Sequence, residues 1–191
     1  MIHFFDTQTL PLSRWRNGGG ETREIIRIPP DAENFSWRAS VATITADGDF
    51  SFWPGIDRVI VLLTGDGIAL HSDTAHSLIL RQYQPWAFAG EESIKAKLTA
   101  GTSTDFNLMV RRATHQAQVR RMSEAFTPEP SGDGLVYVLS GTWQAGDRLL
   151  HQGQGVWWQP DDNGLFASNK DLWLHPASDG ALLLLAEIVA S

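Results

Sequence analysis

The chain has 191 residues, 42% of them hydrophobic, and a net charge of −7 from 15 Lys and Arg against 22 Asp and Glu. That is apolar matter enough for one large domain or two small fused ones, and it excludes a disordered chain. No basic stretch is interleaved with aromatics and no cysteine is present, so nucleic acid, anionic membrane surfaces, disulfides and thiolate chemistry are all disfavoured.

Met1-Ile-His-Phe-Phe-Asp6 lacks a charged start followed by an apolar run. No signal peptide is expected, and the cytoplasm is the expected address. Thr9-Leu-Pro is placed to cap a short helix near Leu10–Arg14. Three glycines follow in Trp15-Arg-Asn-Gly-Gly-Gly-Glu-Thr-Arg-Glu24. They allow close approach of a ligand or another strand. No Lys and Ser or Thr pair closes them, so they are not a nucleotide loop. Strand Thr22–Ile28 is expected next, with Thr22, Glu24, Ile26 and Ile28 on one face and its first residues at a cavity mouth.

Pro29-Pro30 breaks the chain before a strand over Ser36–Thr45. Alternation places Phe35, Trp37, Ala39 and Val41 on an apolar face, and Ser36, Arg38, Ser40 and Ala42 on the other. Small residues beside Arg38 leave room for its guanidinium. Further strands are expected at Val59–Leu63, Ile68–His71, Ser77–Leu80, Ala87–Ala89 and Ile94–Leu98, then Asp105–Arg111. In the last of these Asp105, Asn107 and Met109 share a face. Asp and Asn are poor strand formers, so Asp105 asks for a partner such as Arg58 or Arg38. The plainer reading is a strand end whose Asp and Asn bond their own backbone.

The second half predicts strands at Gln118–Met122, Leu135–Leu139, Gly141–Gln144, Gly155–Gln159, Leu165–Ala167 and Ala181–Val189. Turn residues separate them, at Pro128 to Gly134, Ala145-Gly146-Asp147 and Asp161 to Gly164. The run Ala181 to Ala190 is interrupted by Glu187 and is too short to span a bilayer. No stretch of helical length keeps a 3.6-residue period, so the class is all-β. A repeat runs through it. Val61-Leu-Leu-Thr-Gly65 echoes Tyr137-Val-Leu-Ser-Gly141, and Gln84-Pro-Trp-Ala-Phe88 echoes Gln154-Gly-Val-Trp-Trp158. Two tandem β-rolls would produce it.

The six histidines, His3, His71, His76, His115, His151 and His175, form no His-x-His pair. A histidine metal site is therefore disfavoured. Gly-x-Ser-x-Gly is absent, so hydrolase chemistry has no support. Trp143, Trp157, Trp158 and Trp173 are expected to fill the second half.

Trp53-Pro-Gly-Ile-Asp-Arg-Val-Ile-Val-Leu-Leu-Thr-Gly65 resembles the first motif of a cupin barrel. In that motif a metal-ligand glutamate lies seven residues before the closing glycine. Here that position is Arg58, and the histidine positions fall among Ser51, Phe52, Trp53 and Pro54. A guanidinium in place of a ligand carboxylate suits an anion, because Arg presents a planar fork of donors. More specifically, Trp15 to Glu24, Phe35-Ser-Trp-Arg-Ala-Ser40, Phe50 to Arg58 and Asp105-Phe-Asn-Leu-Met-Val-Arg-Arg112 look like the HutD/Ves family. Length and Trp143-Gln-Ala-Gly-Asp147 are similar to its Ves branch. Trp53 stands where the family pattern has Phe.

The resemblance implies a bicupin, two β-barrels packed together, with no well-established enzymatic activity. It implies a regulatory role in histidine utilisation for one branch and a stress response for the other. The expected halves are 1–126, with the ligand pocket, and 127–191. The expected function is metal-independent binding of a small carboxylate metabolite. Arg58 and Arg38 would read the carboxylate, with Asn17, Thr22 and Asn107 adding hydrogen bonds. Asp105 and Glu24 would orient the arginines, and Trp15 and Trp37 would be walls. No cofactor is expected, and sheet extension into a homodimer is an analogy with other cupins. The alternative is a metal-free isomerase or lyase with Glu24 or Asp105 as general base. A metal oxygenase and a protein-interaction module are the remaining readings.

Overall fold

The structure, a computed structural model, describes residues 1–72, 77–129, 131–160 and 172–191. Its first strands are β1 (Ile2–Asp6), β2 (Leu12–Arg14), β3 (Gly20–Ile28), β4 (Trp37–Ile44), β5 (Gly48–Asp49) and β6 (Ile56–Thr64). Next come β7 (Ile68–Ser72), β8 (Leu78–Leu80), β9 (Pro85–Ala89), β10 (Ile94–Leu98), β11 (Ser103–Arg111) and β12 (His115–Met122). The last are β13 (Asp133–Ser140), β14 (Thr142–Ala145), β15 (Arg148–His151), β16 (Gln154–Trp158), β17 (Leu174–Pro176) and β18 (Leu182–Ala190). The described residues contain no helix, and the all-β class expected from the turn spacing is the one found.

The chain divides into two compact units, Leu10–His115 and Met1–Thr9 with Gln116–Ser191. The sequence expectation was a cut between residues 126 and 127. The observed division differs because β1 pairs with β16 over Ile2↔Trp158 to Asp6↔Gln154, and β12 lies beside β18. Both ends of the second unit's large sheet are thus made by segments placed in the first half.

The Leu10–His115 unit has a six-stranded sheet, β2-β3-β4-β11-β6-β9, and a four-stranded one, β5-β10-β7-β8. Ile44, Ile60, Leu62, Ile68, Leu70, Phe88 and Ile94 form its buried cluster. The other unit has sheets β1-β16-β13-β18-β12 and β15-β14-β17. Val136, Trp143, Trp158, Leu174, Leu183 and Leu185 form its core. The repeated motifs hold equivalent places. β6 lies between β11 and β9, and β13 lies between β18 and β16.

The helix expected near Leu10–Arg14 is a correction. Leu12–Arg14 is an edge strand, with Leu12↔Arg23, Ser13↔Thr22 and Arg14↔Glu21. A single turn cannot offset the cost of helix nucleation, whereas the glycine turn brings these three residues back onto β3. Trp173 is half-exposed rather than core, unlike Trp143 and Trp158. The expected strand Leu165–Ala167, the breaker Asp161 to Gly164 and His76 lie outside the described residues. Glu187 on β18 pairs with Arg120 at 2.8 Å, which accounts for a charge in that apolar run. Among the described residues no helix is long and apolar enough to cross a membrane.

Gly155 on β16 sits where a side chain has no room. A Cβ there would lie 2.0 Å from the Val136 carbonyl oxygen and 2.5 Å from the Phe5 ring. Backbone cannot yield as a flexible side chain does, so Gly155→Ala is expected to lose about 2–3 kcal/mol of stability. A lower urea midpoint with unchanged slope reads this loss.

Candidate functional site

The inner face of the six-stranded sheet is organised in cross-strand rungs. Arg27, Arg38, Met109, Arg58 and Phe88 face one another across β3, β4, β11, β6 and β9. The next rung holds Glu24, Ser40, Asn107 and Ile60, and the one after it holds Thr22, Ala42, Asp105 and Leu62. These rungs floor a cavity of about 730 Å³, a size that suits a small ligand. Four arginines (Arg16, Arg27, Arg38, Arg58) and three acids (Glu24, Asp49, Asp105) line it. The cavity is thus positive in a chain whose net charge is −7.

Arg27 reaches this face through a β-bulge. Strict alternation put Ile26 and Ile28 beside Glu24, but the register shifts between Glu24 and Ile26. The extra residue turns Ile26 to the Ala39 side and brings Arg27 opposite Arg38. Three cations on one rung repel one another, so they need acids. Glu24 Oε2 accepts from Arg27 Nη2 at 2.8 Å and from Arg38 Nε. Burial raises the Glu24 carboxyl, but the bonds from Arg27 and Arg38 outweigh it and hold the group below its ordinary value.

Arg58 is in a different position. It is only 7% exposed, and its guanidinium packs against Phe50 and Phe88, at 5.2 and 4.9 Å from their ring centroids, the two rings themselves lying 6.0 Å apart. Its Nη2 donates to Asn107 Oδ1 at 3.4 Å and its Nη1 to the Ser51 carbonyl at 3.5 Å, both long bonds. Its Nε has no hydrogen-bond partner among the described residues. Burial pulls the Arg58 guanidinium down to about 10, against the pull of Asp105, and Arg38 adds to the fall. At neutral pH it remains a buried cation with an unmet donor.

Asp105 is 4% exposed. The register shift between Thr104 and Asp105 marks a bulge there, but among the described residues the Asp105 carboxyl makes no hydrogen bond to its own backbone. Burial pushes its carboxyl up to about 7, although Arg58 works in the opposite direction.

Of the residues expected at the site, Trp15, Asn17, Thr22, Glu24, Arg38, Arg58, Asp105 and Asn107 line the cavity. Trp37 does not. It lies fully buried on the face opposite Arg38, as alternation along β4 requires. Trp15 Nε1 donates to Thr22 Oγ1 at 2.8 Å, so these two brace the rim. Asn17 Oδ1 accepts from the Gly19 N–H at 3.0 Å, so that oxygen shapes the glycine turn. Gly20 packs where a Cβ would lie 2.4 Å from the Thr43 carbonyl oxygen and 2.9 Å from the Trp15 ring. The triple glycine therefore seats Trp15 against β4.

The reading from sequence missed Arg27, Phe50, Phe88 and Trp53. Only Trp53 carried a signal, as the departure in the Pro-Gly motif. It packs on Phe35 at 5.8 Å and lines the cavity. Among the described residues no three His, Asp or Glu side chains lie close enough to hold a metal ion.

The two carboxyls affect stability with opposite sign. Glu24, lowered by folding, stabilises above its unfolded value of 4.5, and this contribution is lost as pH falls through the folded value. Asp105, raised from 3.8 to about 7, binds its proton more tightly when folded, so stability falls as pH rises between those values. Asp105→Asn is expected to exceed the wild type by about 2–4 kcal/mol above pH 7 and to match it below pH 3.8. Urea midpoints across this range would show the two curves diverging with rising pH.

Comparison with known proteins agrees with the fold. The HutD family model matches residues 7–174. The protein Ves of Cronobacter sakazakii is 46% identical over 165 residues, covering 86% of this chain and 91% of that one. A conserved protein of unknown function from Pseudomonas aeruginosa PAO1 superposes with a TM-score of 0.83 at 26% identity, over 98% of both chains. HutD from Pseudomonas fluorescens SBW25 superposes with a TM-score of 0.80 at 24% identity, over the full length of both. With a family match across most of the chain and a relative at this identity, the chain belongs to the HutD family, with relatives named Ves.

Proposed function

We propose that this protein is a metal-independent bicupin that binds a small carboxylate metabolite in the cavity of its Leu10–His115 unit. One observation carries the reading: Arg58 is a buried cation that lines the cavity and whose Nη groups hold protein oxygens only at 3.4 and 3.5 Å. A carboxylate supplies both a better acceptor and a counter-charge. Arg58 also stands where a metal-binding cupin motif has its ligand carboxylate, which argues for an anion over a cation at this position. Arg38 is half-occupied by Glu24 and bonds weakly to Met109 Sδ at 3.7 Å, which leaves it able to orient a second polar group. The cytoplasm, and a regulatory role in histidine utilisation or stress response, form the cellular context that family membership suggests.

A metal-free enzyme is the second reading, and the geometry shifts it from Glu24 to Asp105. Two arginines hold Glu24 ionised and engaged, which makes it a poor base. Burial leaves Asp105 near 7, the range that suits general acid–base work. Conversion of a bound carboxylate, abolished in Asp105→Asn with binding retained, would favour this reading.

The binding test is thermal denaturation against urocanate, formylglutamate, formiminoglutamate, glutamate, histidine and sugar acids. A ligand of the native state raises the midpoint by mass action. Each charge-assisted bond is worth about 1.5–3 kcal/mol. Arg58→Ala is therefore expected to weaken the responding compound more than tenfold. Arg58→Lys is expected to restore little, because an ammonium lacks the planar fork. A response unchanged in Arg58→Ala would refute the assignment of Arg58.

A further inference from the structure

Asp105 and Arg58 make an unequal pair. They reach the same cavity from neighbouring strands β11 and β6. Arg58 packs against Phe50 and Phe88 and, among the described residues, touches protein oxygens only at 3.4 and 3.5 Å. Its charge is the one that acts on the Asp105 carboxyl. The other charged side chains around the cavity are Arg16, Glu24, Arg27, Arg38 and Asp49. Glu24 is committed to Arg27 and Arg38. The buried side chains that β7 and β10 give the same unit's core, Ile68, Leu70, Ile94 and Ala96, are apolar. Among the described residues Asp105 is therefore the acid whose charge acts on Arg58.

A ligand carboxylate at the Arg58 guanidinium takes over that role. The cavity cannot cheaply hold the incoming anion and an ionised Asp105 together, because like charges in a desolvated site repel strongly. A neutral Asp105 removes the conflict and gains an O–H donor for the ligand. We propose that Asp105 is the specificity-determining group of this cavity: it competes with the ligand carboxylate for Arg58, so each anion is captured together with one proton on Asp105. The inference rests on the carboxylate reading of the cavity and adds its control. No bond is made or broken, and the proton comes from solvent. Above neutrality the cavity closes to anions electrostatically, without any movement of the chain.

Acetate is a suitable probe, with chloride at equal ionic strength as the control. Its affinity is expected to be level between about pH 6 and pH 7, where acetate itself is ionised, and to fall about tenfold per pH unit above that. Calorimetry in two buffers of different ionisation enthalpy is expected to show about one proton taken up per acetate at about pH 8, and almost none at about pH 6. Asp105→Asn keeps the shape and a donor but cannot ionise. Its acetate affinity is expected to be level from about pH 6 upward, with no proton uptake. An equally steep fall in Asp105→Asn, or acetate binding to the wild type without proton uptake at high pH, would overturn the proposal and leave the carboxylate site standing. A carbon-13 titration of the ligand-free Asp105 carboxyl gives an independent reading, and an ordinary aspartate value there also overturns the proposal. Failure of acetate to bind at any pH, with Asp105 titrating near 7, would overturn the carboxylate reading, and the proposal with it.

Discussion

The Leu10–His115 unit is arranged around a cation that the fold has taken out of water. Desolvating a charge is expensive unless a partner of opposite charge is close and well oriented. Arg58 receives two aromatic faces, two long hydrogen bonds and a distant acid. The aromatic faces offer attraction without accepting a proton in a directed bond. A cation stabilised only in part is the starting point that the proposed anion binding requires. A site of this kind gives up stability in the empty state and regains it on binding.

The rung pattern explains why Arg58 and Arg38 behave differently although they face the same strand. On β3 and β4 one acid answers two arginines, because the bulge after Glu24 swings Arg27 into line. Both arginines keep some contact with water, with 28% and 17% of the Arg27 and Arg38 side chains exposed, and such ion pairs contribute modestly. Arg58 lies two strands away, beyond Met109, out of reach of that acid. The bulge therefore does more than bend a strand. It gathers the available carboxylate at the mouth of the cavity and leaves the deep cation to Asp105. Without the extra residue, Arg27 would lie on the opposite face and Glu24 would answer Arg38 alone.

Much of this arrangement was legible in the chain. Period-2 alternation put Arg38, Asp105 and Asn107 on cavity faces, because a strand offers each residue only two sides. The same rule already placed Trp37 on the wrong side of β4 for a wall, and the structure agrees with the rule over the assignment. The bulge was not legible, since one extra residue leaves no mark in a run such as Glu24-Ile-Ile-Arg27 when both faces tolerate isoleucine. The Phe50 and Phe88 pair against Arg58 was hidden for a different reason. Those rings lie 38 residues apart in sequence; the register of β6 with β9 sets Phe88 beside Arg58, and Phe50 is placed by its backbone bond to Ile94. β1 was missed because five residues at a chain end carry no information about the distant strand that will receive them.

The position of Arg58 finally bears on how one barrel can serve opposite chemistries. The rung that carries it is a geometric device. Neighbouring strands aim side chains at one point from fixed distances, whatever their charge. With carboxylate and imidazole groups such a rung concentrates negative potential and lone pairs, which a metal cation completes. With a guanidinium at the same place the sign of the potential reverses, and the rung is completed by an acceptor. The backbone need not change for this, because Arg and Glu both extend far enough from a strand to reach the centre. The neighbours must change, since a buried arginine needs aromatic faces and a titratable counter-charge where a metal needs further ligands. Phe50, Phe88 and Asp105 are the neighbours of Arg58, and under the proposed anion reading they are the shell that such a reversal requires.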